Sequence, residues 1–259
     1  MRDHFQLVAT RQSELLELIN ANAAVDVNDL SNLFGVSVAT IRRDLSAMET
    51  KGLLARTHGG AVSISLANRK LPKETGATVN IAEKNRIASV ASGMLMGNET
   101  VFLDAGTTAV QLAVALAKRQ DCTFVTSSLS IANVLAAQNH QKFYLTGGNF
   151  LTVNEAFGGR LAANALSGLT FDIAFLCASA IDVDRRAISM VLEPYSEIQR
   201  MALSVSRRVY VIADYTKFKS SAFSITANFD EIDGVITNRE LDASMLAKCS
   251  KAGLEVILS

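Results

Sequence analysis

Residues 36–48 read VSVATIRRDLSAM, and this stretch decides the fold of the N-terminal part of the chain. Its apolar residues recur at the spacing of one helix face: Ile41, Leu45 and Met48. They predict the buried stripe of a helix over residues 38–51. Ser37 stands immediately before that helix and can cap it through its side-chain oxygen. Residues 35–36, Gly-Val, predict a tight turn in front of the cap.

The segments on either side of this helix predict the remaining parts of a winged helix-turn-helix. Residues 11–21 have a helical period, and a second short helix is predicted over residues 27–34. Two short runs, 53–56 and 61–63, bracket Thr57-His58-Gly59-Gly60 and predict a hairpin. Helices followed by a tight turn, a further helix and a hairpin are typical of this DNA-binding fold.

The polar face of the third helix has the chemistry of a DNA-reading surface. Arginine pairs with guanine edges or phosphate, and threonine contacts either, so such a face can enter a major groove. On the hairpin, Arg56 and His58 could reach the DNA backbone or the minor groove. The predicted DNA contacts are Ser37, Ala39, Thr40, Arg42, Arg43, Arg56 and His58. Two adjacent arginines by themselves more often indicate only a solvent-exposed helix face. The predicted turn and hairpin are the features that favour an interpretation as a DNA-binding surface.

Charge is balanced over the whole chain, with 25 Lys+Arg against 25 Asp+Glu. This balance excludes a protein that coats nucleic acid by charge alone. Residues 1–62 hold six basic and seven acidic groups, whereas residues 37–60 hold four basic against two acidic groups. The positive charge is therefore local to the predicted reading face. One copy should bind DNA weakly, and two or more copies on repeated half-sites would be needed.

Composition and length define the class of protein. A chain of 259 residues with 49% hydrophobic residues can bury enough apolar surface to fold, which excludes a disordered protein. No apolar run approaches the roughly 20 residues of a membrane helix. The N-terminus has no apolar core of the signal-peptide type. The three cysteines, Cys122, Cys177 and Cys249, are far apart and odd in number, so we predict a reduced, cytoplasmic protein without disulfide, metal site or cofactor.

The chain changes character after residues 63–80, which hold Pro72 and Gly76 and show no sustained period. Predicted strands then alternate with predicted helices. The strands are at 101–104, 123–126, 142–146, 173–178, 209–213, 234–237 and 255–258, and the helices at 81–96, 108–118, 130–137, 161–166, 195–206 and 242–251. Such alternation predicts an α/β domain with a mostly parallel sheet and helices on both faces. We therefore divide the chain into a winged helix-turn-helix domain, 1–62, a linker, 63–80, and an α/β domain, 81–259.

Three loops that follow predicted strands have residues suited to a phosphorylated ligand: 104–108, 126–128 and 147–148. Residues 104–108, Asp-Ala-Gly-Thr-Thr, lie before a helix start, where backbone N–H groups and two hydroxyls suit a phosphate. Asp104 could accept hydrogen bonds from sugar hydroxyls, and Gly106 lets the backbone be approached closely. Lys217 could supply a movable cation. A plain helix cap and an ordinary surface lysine are the alternatives for these loops.

The chain resembles the bacterial DeoR family of transcriptional regulators. Residues 36–45, VSVATIRRDL, and 52–61, GLLARTHGGA, match the helix-turn-helix signature of that family and the segment after it. Further matching segments extend the resemblance over nearly the whole chain: Glu83-Lys84, LDAGTT at 103–108, LTGG at 145–148, DIAFL at 172–176 and ADYTKF at 213–218. The resemblance implies a repressor of a sugar-catabolic operon that binds double-stranded operator DNA as a homodimer or homotetramer and is relieved by a phosphorylated sugar. It also implies that the C-terminal domain is similar in fold to ribose-phosphate isomerases.

With this resemblance the three loops are identified as an effector site. The predicted effector-binding residues are Asp104, Gly106, Thr107, Thr108, Thr126, Ser127, Gly147, Gly148 and Lys217. The chain departs from the family pattern at four positions, where the family often has Asn, Arg or Gly: Ser127, Leu151, Cys177 and Ala187. These departures predict a ligand site that is altered or partly lost, and Arg160, Arg185 or Arg186 could replace a missing loop cation.

A sugar-phosphate isomerase-like enzyme is the alternative function. Such an enzyme needs a carboxylate base beside the reacting carbon. Asp104, Glu193 and Glu197 could supply the carboxylate, but the sequence does not place any two of them together. A DNA-reading domain would also have no role in an isomerase. The sequence therefore predicts a regulator with no catalytic residues.

Overall fold

The structure is a computed structural model in which the chain divides into two compact units, residues 1–76 and 77–259. It describes residues 11–12, 14–16, 18, 24–50, 54–56, 60–63, 79–219 and 221–259. Most of the predicted linker lies outside the described residues. The domain limits 1–62, 63–80 and 81–259 therefore stay a prediction.

The N-terminal unit combines short helices with a three-stranded antiparallel sheet. Residues 11–18 are helical wherever they are described. The elements that follow are β1 (Ala24–Asp26), α1 (Val27–Phe34), α2 (Val38–Thr50), β2 (Leu54–Arg56) and β3 (Gly60–Ser63). The strands lie in the order β1-β3-β2. The predicted helices 27–34 and 38–51 are confirmed to within one residue, whereas β1 was not predicted.

An apolar cluster holds the N-terminal unit together. It contains Leu15, Val27, Leu30, Ile41, Leu45, Met48, Leu54 and Ala61, all of them buried. The predicted stripe of α2 is therefore confirmed as the part of that helix that enters the core. Each large apolar side chain of this kind stabilises the fold by about 1.5–3 kcal/mol when fully buried. The opposite face of α2 is thereby left for solvent.

The C-terminal unit is organised around a seven-stranded parallel sheet. Along the chain, the strands of the whole unit are β4 (Thr100–Leu103), β5 (Thr123–Thr126), β6 (Phe143–Leu145), β7 (Asn149–Leu151), β8 (Ala156–Gly158), β9 (Ile173–Cys177), β10 (Ala180–Asp182), β11 (Ala187–Met190), β12 (Val209–Ile212), β13 (Ser224–Asn228), β14 (Gly234–Thr237) and β15 (Val256–Leu258). The large sheet has the order β15-β14-β12-β9-β4-β5-β6, and every neighbouring pair is parallel. The predicted mostly parallel sheet is confirmed.

Helices cover both faces of this sheet, as the alternation of elements predicts. They are α3 (Ile81–Gly93), α4 (Thr107–Leu116), α5 (Leu129–Ala137), α6 (Gly159–Leu166), α7 (Glu193–Ser204) and α8 (Ala243–Lys251). One apolar cluster joins α3, α4 and α5 to the sheet, and a second joins α6, α7 and α8 to it. Because helices bury both faces, β9 is apolar and buried at every position.

Two smaller antiparallel elements were not predicted. β7 pairs with β8, and β10, β11 and β13 form a three-stranded sheet in that order. The helix predicted at 195–206 also begins earlier, at Glu193, with Pro194 in its first turn. Proline is well suited to that position because its missing N–H would have no partner within the helix.

The described residues also bear on the predicted class of protein. Cys122, Cys177 and Cys249 are buried free thiols. Within the described ranges, no helix is both long and apolar enough to span a bilayer. The same ranges contain no group of three or more His, Cys, Asp or Glu side chains that could hold a metal ion.

Candidate functional site

Ser37 caps the N-terminus of α2. Its side-chain oxygen accepts a hydrogen bond from the amide of Thr40 at 3.2 Å. Its hydroxyl also lies 2.9 Å from the Thr40 hydroxyl. The predicted cap is therefore confirmed, and the side chains of both residues lie at the first turn of the helix.

The polar face of α2 is open to solvent. Its exposed residues are Ser37, Ala39, Arg42 and Arg43, and Thr40 is half-buried. These five predicted DNA contacts therefore lie together on the first two turns of one helix. Arg56 belongs to β2, but its side chain and the whole of His58 lie outside the described residues.

Asp44 joins α2 to the helical segment within residues 11–18. Its Oδ2 accepts a hydrogen bond from Arg11 Nε at 2.7 Å, and its Oδ1 accepts one from Gln12 Nε2 at 3.2 Å. Asp44 is only 6% exposed, so these contacts are shielded from bulk water. Hydrogen bonds between charged groups are stronger than neutral ones. We call this contact the Arg11–Asp44 clamp, and it fixes α2 against the first helical segment.

Replacing Asp44 with alanine is expected to lower the free energy of unfolding of the N-terminal unit by about 1–3 kcal/mol, because it leaves the partly buried guanidinium of Arg11 without its carboxylate. Arg11→Ala should have a similar effect, and the double variant should lose less than the sum. Urea unfolding followed by circular dichroism measures these differences. Arg207→Ala is the control, since Arg207 pairs with Asp172 at 3.5 Å but is 80% exposed, and we expect a loss of about 0.5 kcal/mol or less. Additive losses for Arg11 and Asp44 would contradict the clamp.

The predicted effector loops all lie at the carboxyl ends of parallel strands. Residues 104–108, 126–128 and 146–148 follow β4, β5 and β6, which pair in parallel. β4 also pairs with β9, and the chain winds away from this central pair in both directions. Open α/β sheets bind ligands in the crevice at such a reversal of strand order. We call the carboxyl ends of these strands the upper edge of the sheet.

Asp104 is buried at the upper edge, directly after β4. Its Oδ2 accepts hydrogen bonds from the amide of Cys177 at 2.8 Å and from Nε2 of Gln199. Its Oδ1 makes no hydrogen bond within the described part of the chain. Burial raises the pKa of Asp104 to about 6, and the hydrogen bonds from Cys177 and Gln199 oppose that rise, as does the nearby backbone of Ala105, which forms no hydrogen bond of ordinary geometry with Oδ1. The residue is thus a buried carboxyl group with one unused oxygen.

Gly106, which precedes α4, has no side chain that could cap this helix, and the Sγ of Cys177 lies at the helix start near the backbone of Ala109. Thr107 is half-buried and Thr108 is buried at its start. The backbone of Gly106 is extended, which any residue can adopt, but a Cβ there would lie 2.6 Å from the Sγ of Cys177. The side chain of Cys177 is thus one reason for a glycine here, and the approach of a ligand to this backbone stays a prediction.

Three buried hydroxyl residues follow one another at the end of β5, and they have different partners. Thr126 Oγ1 accepts a hydrogen bond from the amide of Ser128 at 3.0 Å. Ser128 caps α5 by accepting a hydrogen bond from the amide of Ile131 at 3.3 Å. Ser127 Oγ makes no hydrogen bond within the described residues. Thr126 and Ser128 therefore hold the loop, and Ser127 is the one of the three with an unused hydroxyl.

The paired glycines after β6 form a tight turn against α6. Gly147 and Gly148 have φ angles of +67° and +119°, where glycine is strongly favoured. A Cβ on Gly148 would lie 2.9 Å from the Cβ of Ala162, so a side chain there would push the loop away from α6. No atom lies within 4 Å of the Cβ position of Gly147. Arg160 is exposed in the first turn of the same helix.

Two lysines reach the upper edge from separate elements. Lys217 is half-buried in the short 3-10 helix Tyr215–Lys217, which follows β12. Lys84 of α3 is 4% exposed, and its Nζ donates a hydrogen bond to Val79 O at 2.8 Å. Burial lowers the pKa of Lys84, with the charge of Asp214 opposing the fall and that of Lys217 adding to it. The two ammonium groups are therefore close enough to influence each other.

Sequence reasoning did not assign three buried residues of this edge to the site. They are Lys84, Tyr195 and Gln199. Lys84 stands in one of the segments that resemble the DeoR family, and that match was the signal that could have identified it. Tyr195 and Gln199 have no such signal, because only the packing of α7 on the sheet brings them to β4.

The weaker candidates have other surroundings. Glu193 is the first residue of α7 and pairs with an arginine of the same helix at 2.7 Å. Glu197 lies in the second turn of α7. Arg185 and Arg186 are exposed in the turn between β10 and β11. Arg186 lies near Gly253, which leads into β15 at the amino ends of the strands. The suggestion that either arginine replaces a loop cation is therefore not supported.

Comparison with known proteins gives matches over both units. The family model for the DeoR-like helix-turn-helix domain matches residues 11–67, and the model for the DeoR C terminal sensor domain matches residues 79–239. The chain is 38% identical to the transcriptional repressor AccR of Agrobacterium fabrum, over 90% of this chain and 91% of that protein. It is 31% identical to the lactose phosphotransferase system repressor of Staphylococcus aureus, over 89% of this chain and 92% of that protein.

Among solved structures, the chain is similar to ribose 5-phosphate isomerase from Methanocaldococcus jannaschii. The TM-score is 0.41 at 14% sequence identity, over 54% of this chain and 55% of that one. The relatives that match nearly the whole chain are named repressors, which sets aside the isomerase alternative. The chain therefore belongs to the DeoR family and is a DNA-binding transcriptional repressor rather than an enzyme.

Proposed function

We propose that this protein represses a sugar-catabolic operon by binding double-stranded operator DNA through α2 and the hairpin β2–β3. We further propose that a phosphorylated sugar bound at the upper edge of the C-terminal sheet releases the protein from DNA. One observation carries the second part: Lys84 and Lys217 lie at the same edge of the sheet as buried side-chain oxygens that make no hydrogen bond within the described residues. The name of the lactose phosphotransferase system repressor supports the choice of a sugar operon.

The exposed face of α2 supports the proposed mode of DNA binding. Arg42 and Arg43 project from the first two turns of a helix that Ser37 caps and the Arg11–Asp44 clamp orients. A recognition helix of this kind reads base edges with residues near its N-terminus. Because the local excess of positive charge is small, we propose that a homodimer or homotetramer binds repeated half-sites.

The chemistry of the upper edge supports a ligand with an anionic end and a hydroxyl-bearing end. Gly106 provides no capping side chain at the N-terminus of α4, and backbone N–H groups at such a position bind phosphate. Lys84 and Lys217 add positive charge, which a phosphate would balance. Asp104 and Ser127 offer hydrogen-bonding oxygens to sugar hydroxyls. Any effect of the ligand on DNA binding has to be reciprocal, so operator must weaken the effector by the same factor.

Fluorescence anisotropy with a labelled fragment of the protein's own upstream region tests both parts. The full-length protein should bind this fragment, and phosphorylated pentoses or hexoses should release it. Lys217→Ala should leave DNA affinity unchanged but raise the effector concentration for half-release about 10-fold or more, because a charged hydrogen bond to the phosphate is lost. Lys219→Ala, an exposed lysine two residues away, is the matched control and should have no effect.

The outcomes separate the two parts of the proposal. Absence of sequence-specific binding would overturn the proposed operator. If the protein binds the fragment specifically but no phosphorylated sugar releases it, the proposed effector is overturned and the proposed operator binding stands. Equal effects of Lys217→Ala and Lys219→Ala would show that Lys217 does not contact the ligand.

A further inference from the structure

Three buried side-chain oxygens around β4, β5 and α7 make no hydrogen bond within the described residues. They are Asp104 Oδ1, Ser127 Oγ and Tyr195 Oη. Buried polar atoms are nearly always paired, so a group of unpaired ones needs an explanation. Because the three oxygens lie together at the upper edge, their arrangement indicates that a bound molecule supplies the missing hydrogen bonds.

Tyr195 joins this group through the packing of α7. It lies in the first turn of that helix, is 2% exposed, and packs against Ala105 and Ala156. Ala105 directly follows Asp104, and the residue next to Ala156 donates its amide to Ser127 O at 2.8 Å. The phenol is therefore held between the loops that carry the other two oxygens.

The electrostatics of Tyr195 agree with this placement. Burial raises its pKa to about 12, and the nearby charge of Asp104 contributes to the rise. The backbone of Asn154 lies close enough to oppose the shift, but it forms no hydrogen bond of ordinary geometry with the phenol. The phenol therefore keeps its proton at neutral pH and has it available for donation.

The orientation of Asp104 is fixed, which makes its unused oxygen a defined acceptor. Nε2 of Gln199 donates to Asp104 Oδ2 and, at 2.9 Å, to Cys177 O. Oε1 of Gln199 accepts a hydrogen bond from the Thr226 hydroxyl at 2.8 Å. Because both ends of this amide are used, it cannot flip, and Asp104 Oδ2 stays occupied while Oδ1 stays available.

A carboxylate accepts hydrogen bonds, a phenol donates, and a serine hydroxyl does either. A hydroxyl group of a ligand can donate to Asp104 and accept from Tyr195 at the same time. An ionised phosphate oxygen cannot donate to Asp104, and the negative charge of a phosphate would be repelled by the carboxylate. The three oxygens are therefore complementary to neutral hydroxyl groups, whereas the lysines suit the anionic end of the same ligand.

We propose that Asp104, Ser127 and Tyr195 form a subsite for the hydroxyl groups of the effector, and that Tyr195 makes the protein prefer polyhydroxylated phosphates to inorganic phosphate. This inference rests on the proposed function, since it concerns the same edge of the sheet. It adds a specificity-determining residue that comes from α7 and not from the loops of the large sheet.

Isothermal titration calorimetry on the full-length protein tests the subsite. The probes are inorganic phosphate, glycerol 3-phosphate, ribose 5-phosphate, glucose 6-phosphate and galactose 6-phosphate. Tyr195→Phe removes only the hydroxyl and keeps the ring. It should weaken the tightest sugar phosphate by roughly 3- to 10-fold, the effect of one neutral hydrogen bond, and leave inorganic phosphate unchanged. Ser127→Ala should show the same selectivity.

Tyr210→Phe is the matched control. Tyr210 lies near the start of β12, where Asp233 and Arg208 influence its pKa, so it is at the opposite end of the sheet. This variant should bind every probe as the wild type does. The melting temperature of Tyr195→Phe should not fall, because the deleted hydroxyl makes no hydrogen bond to any residue that the structure describes.

The possible failures are distinguishable. If the wild type binds sugar phosphates but Tyr195→Phe binds them equally well, the subsite is overturned and the proposed effector class stands. If Tyr195→Phe weakens inorganic phosphate to the same degree, Tyr195 is structural and the subsite is also overturned. If the wild type binds none of the five probes, both the proposed effector class and the proposed subsite are overturned.

Discussion

Replacing Arg42 and Arg43 together with alanine is expected to abolish operator binding at concentrations where the wild type is saturated. Each lost arginine contact to a base is worth about 1–3 kcal/mol, so the pair is worth about 2–6 kcal/mol for each helix, which is roughly 30-fold or more in affinity. Both side chains are exposed and neither belongs to the apolar cluster of this unit. The variant should therefore fold and melt as the wild type does.

A second pair of adjacent arginines provides a control of equal charge. Arg185 and Arg186 are exposed in the turn between β10 and β11, in the C-terminal unit. Their double alanine variant loses the same two charges per chain but should keep its affinity for the operator. Anisotropy titrations at several salt concentrations measure both variants. Equal losses for the two pairs would mean that net charge, and not the face of α2, determines binding.

Asp104→Asn is expected to stabilise the C-terminal unit at pH 8 while abolishing the response to effector. The wild-type carboxylate is buried, no cationic group among the described residues hydrogen-bonds to it, and burial raises its pKa to about 6 from an ordinary value of 3.8. The amide removes that buried charge, and we expect a gain of about 1–3 kcal/mol in the free energy of unfolding. Operator binding should persist, but sugar phosphates should no longer release the DNA.

The pH dependence of this gain has a definite sign. Because the folded protein binds the Asp104 proton more tightly than the unfolded chain does, wild-type stability falls as pH rises from about 4 through about 6. The stability curves of Asp104→Asn and wild type should therefore converge near pH 4 and separate toward pH 8. Denaturant unfolding at pH 4.5 and 8 measures the difference, with the exposed Asp184→Asn as control. A gain that does not vary with pH would contradict the assignment to this carboxyl group.

Elements whose pattern is local could be predicted from the sequence. The buried stripe of α2 follows from residues within one helix, and β9 is a continuous apolar run. The short strands were missed because long-range pairing defines them. β1 has only three residues, and its partner strand β3 lies more than thirty residues further along the chain. β11 is buried at all four positions, so it lacks the alternation that predicts a half-exposed strand.

The candidate site was predictable only where its residues lie in loops after strands. Asp104 and Ser127 stand in such loops, and turn composition and the family resemblance point to them. Lys84 lies on a helix, where a lysine is ordinarily a surface residue, and its burial comes from tertiary packing. The same holds for Tyr195, since nothing in its neighbours along the chain indicates contact with the end of β4.

The division of α2 into two faces has a consequence for how such repressors diversify. The clamp and the apolar stripe use Asp44, Ile41, Leu45 and Met48, whereas the exposed positions 39, 42 and 43 contribute nothing to that core. With the mode of DNA binding proposed above, substitutions at these positions would change the preferred operator without disturbing the core of this unit. New operator sequences can be acquired one base contact at a time, while the same interior and the same sensor unit are retained.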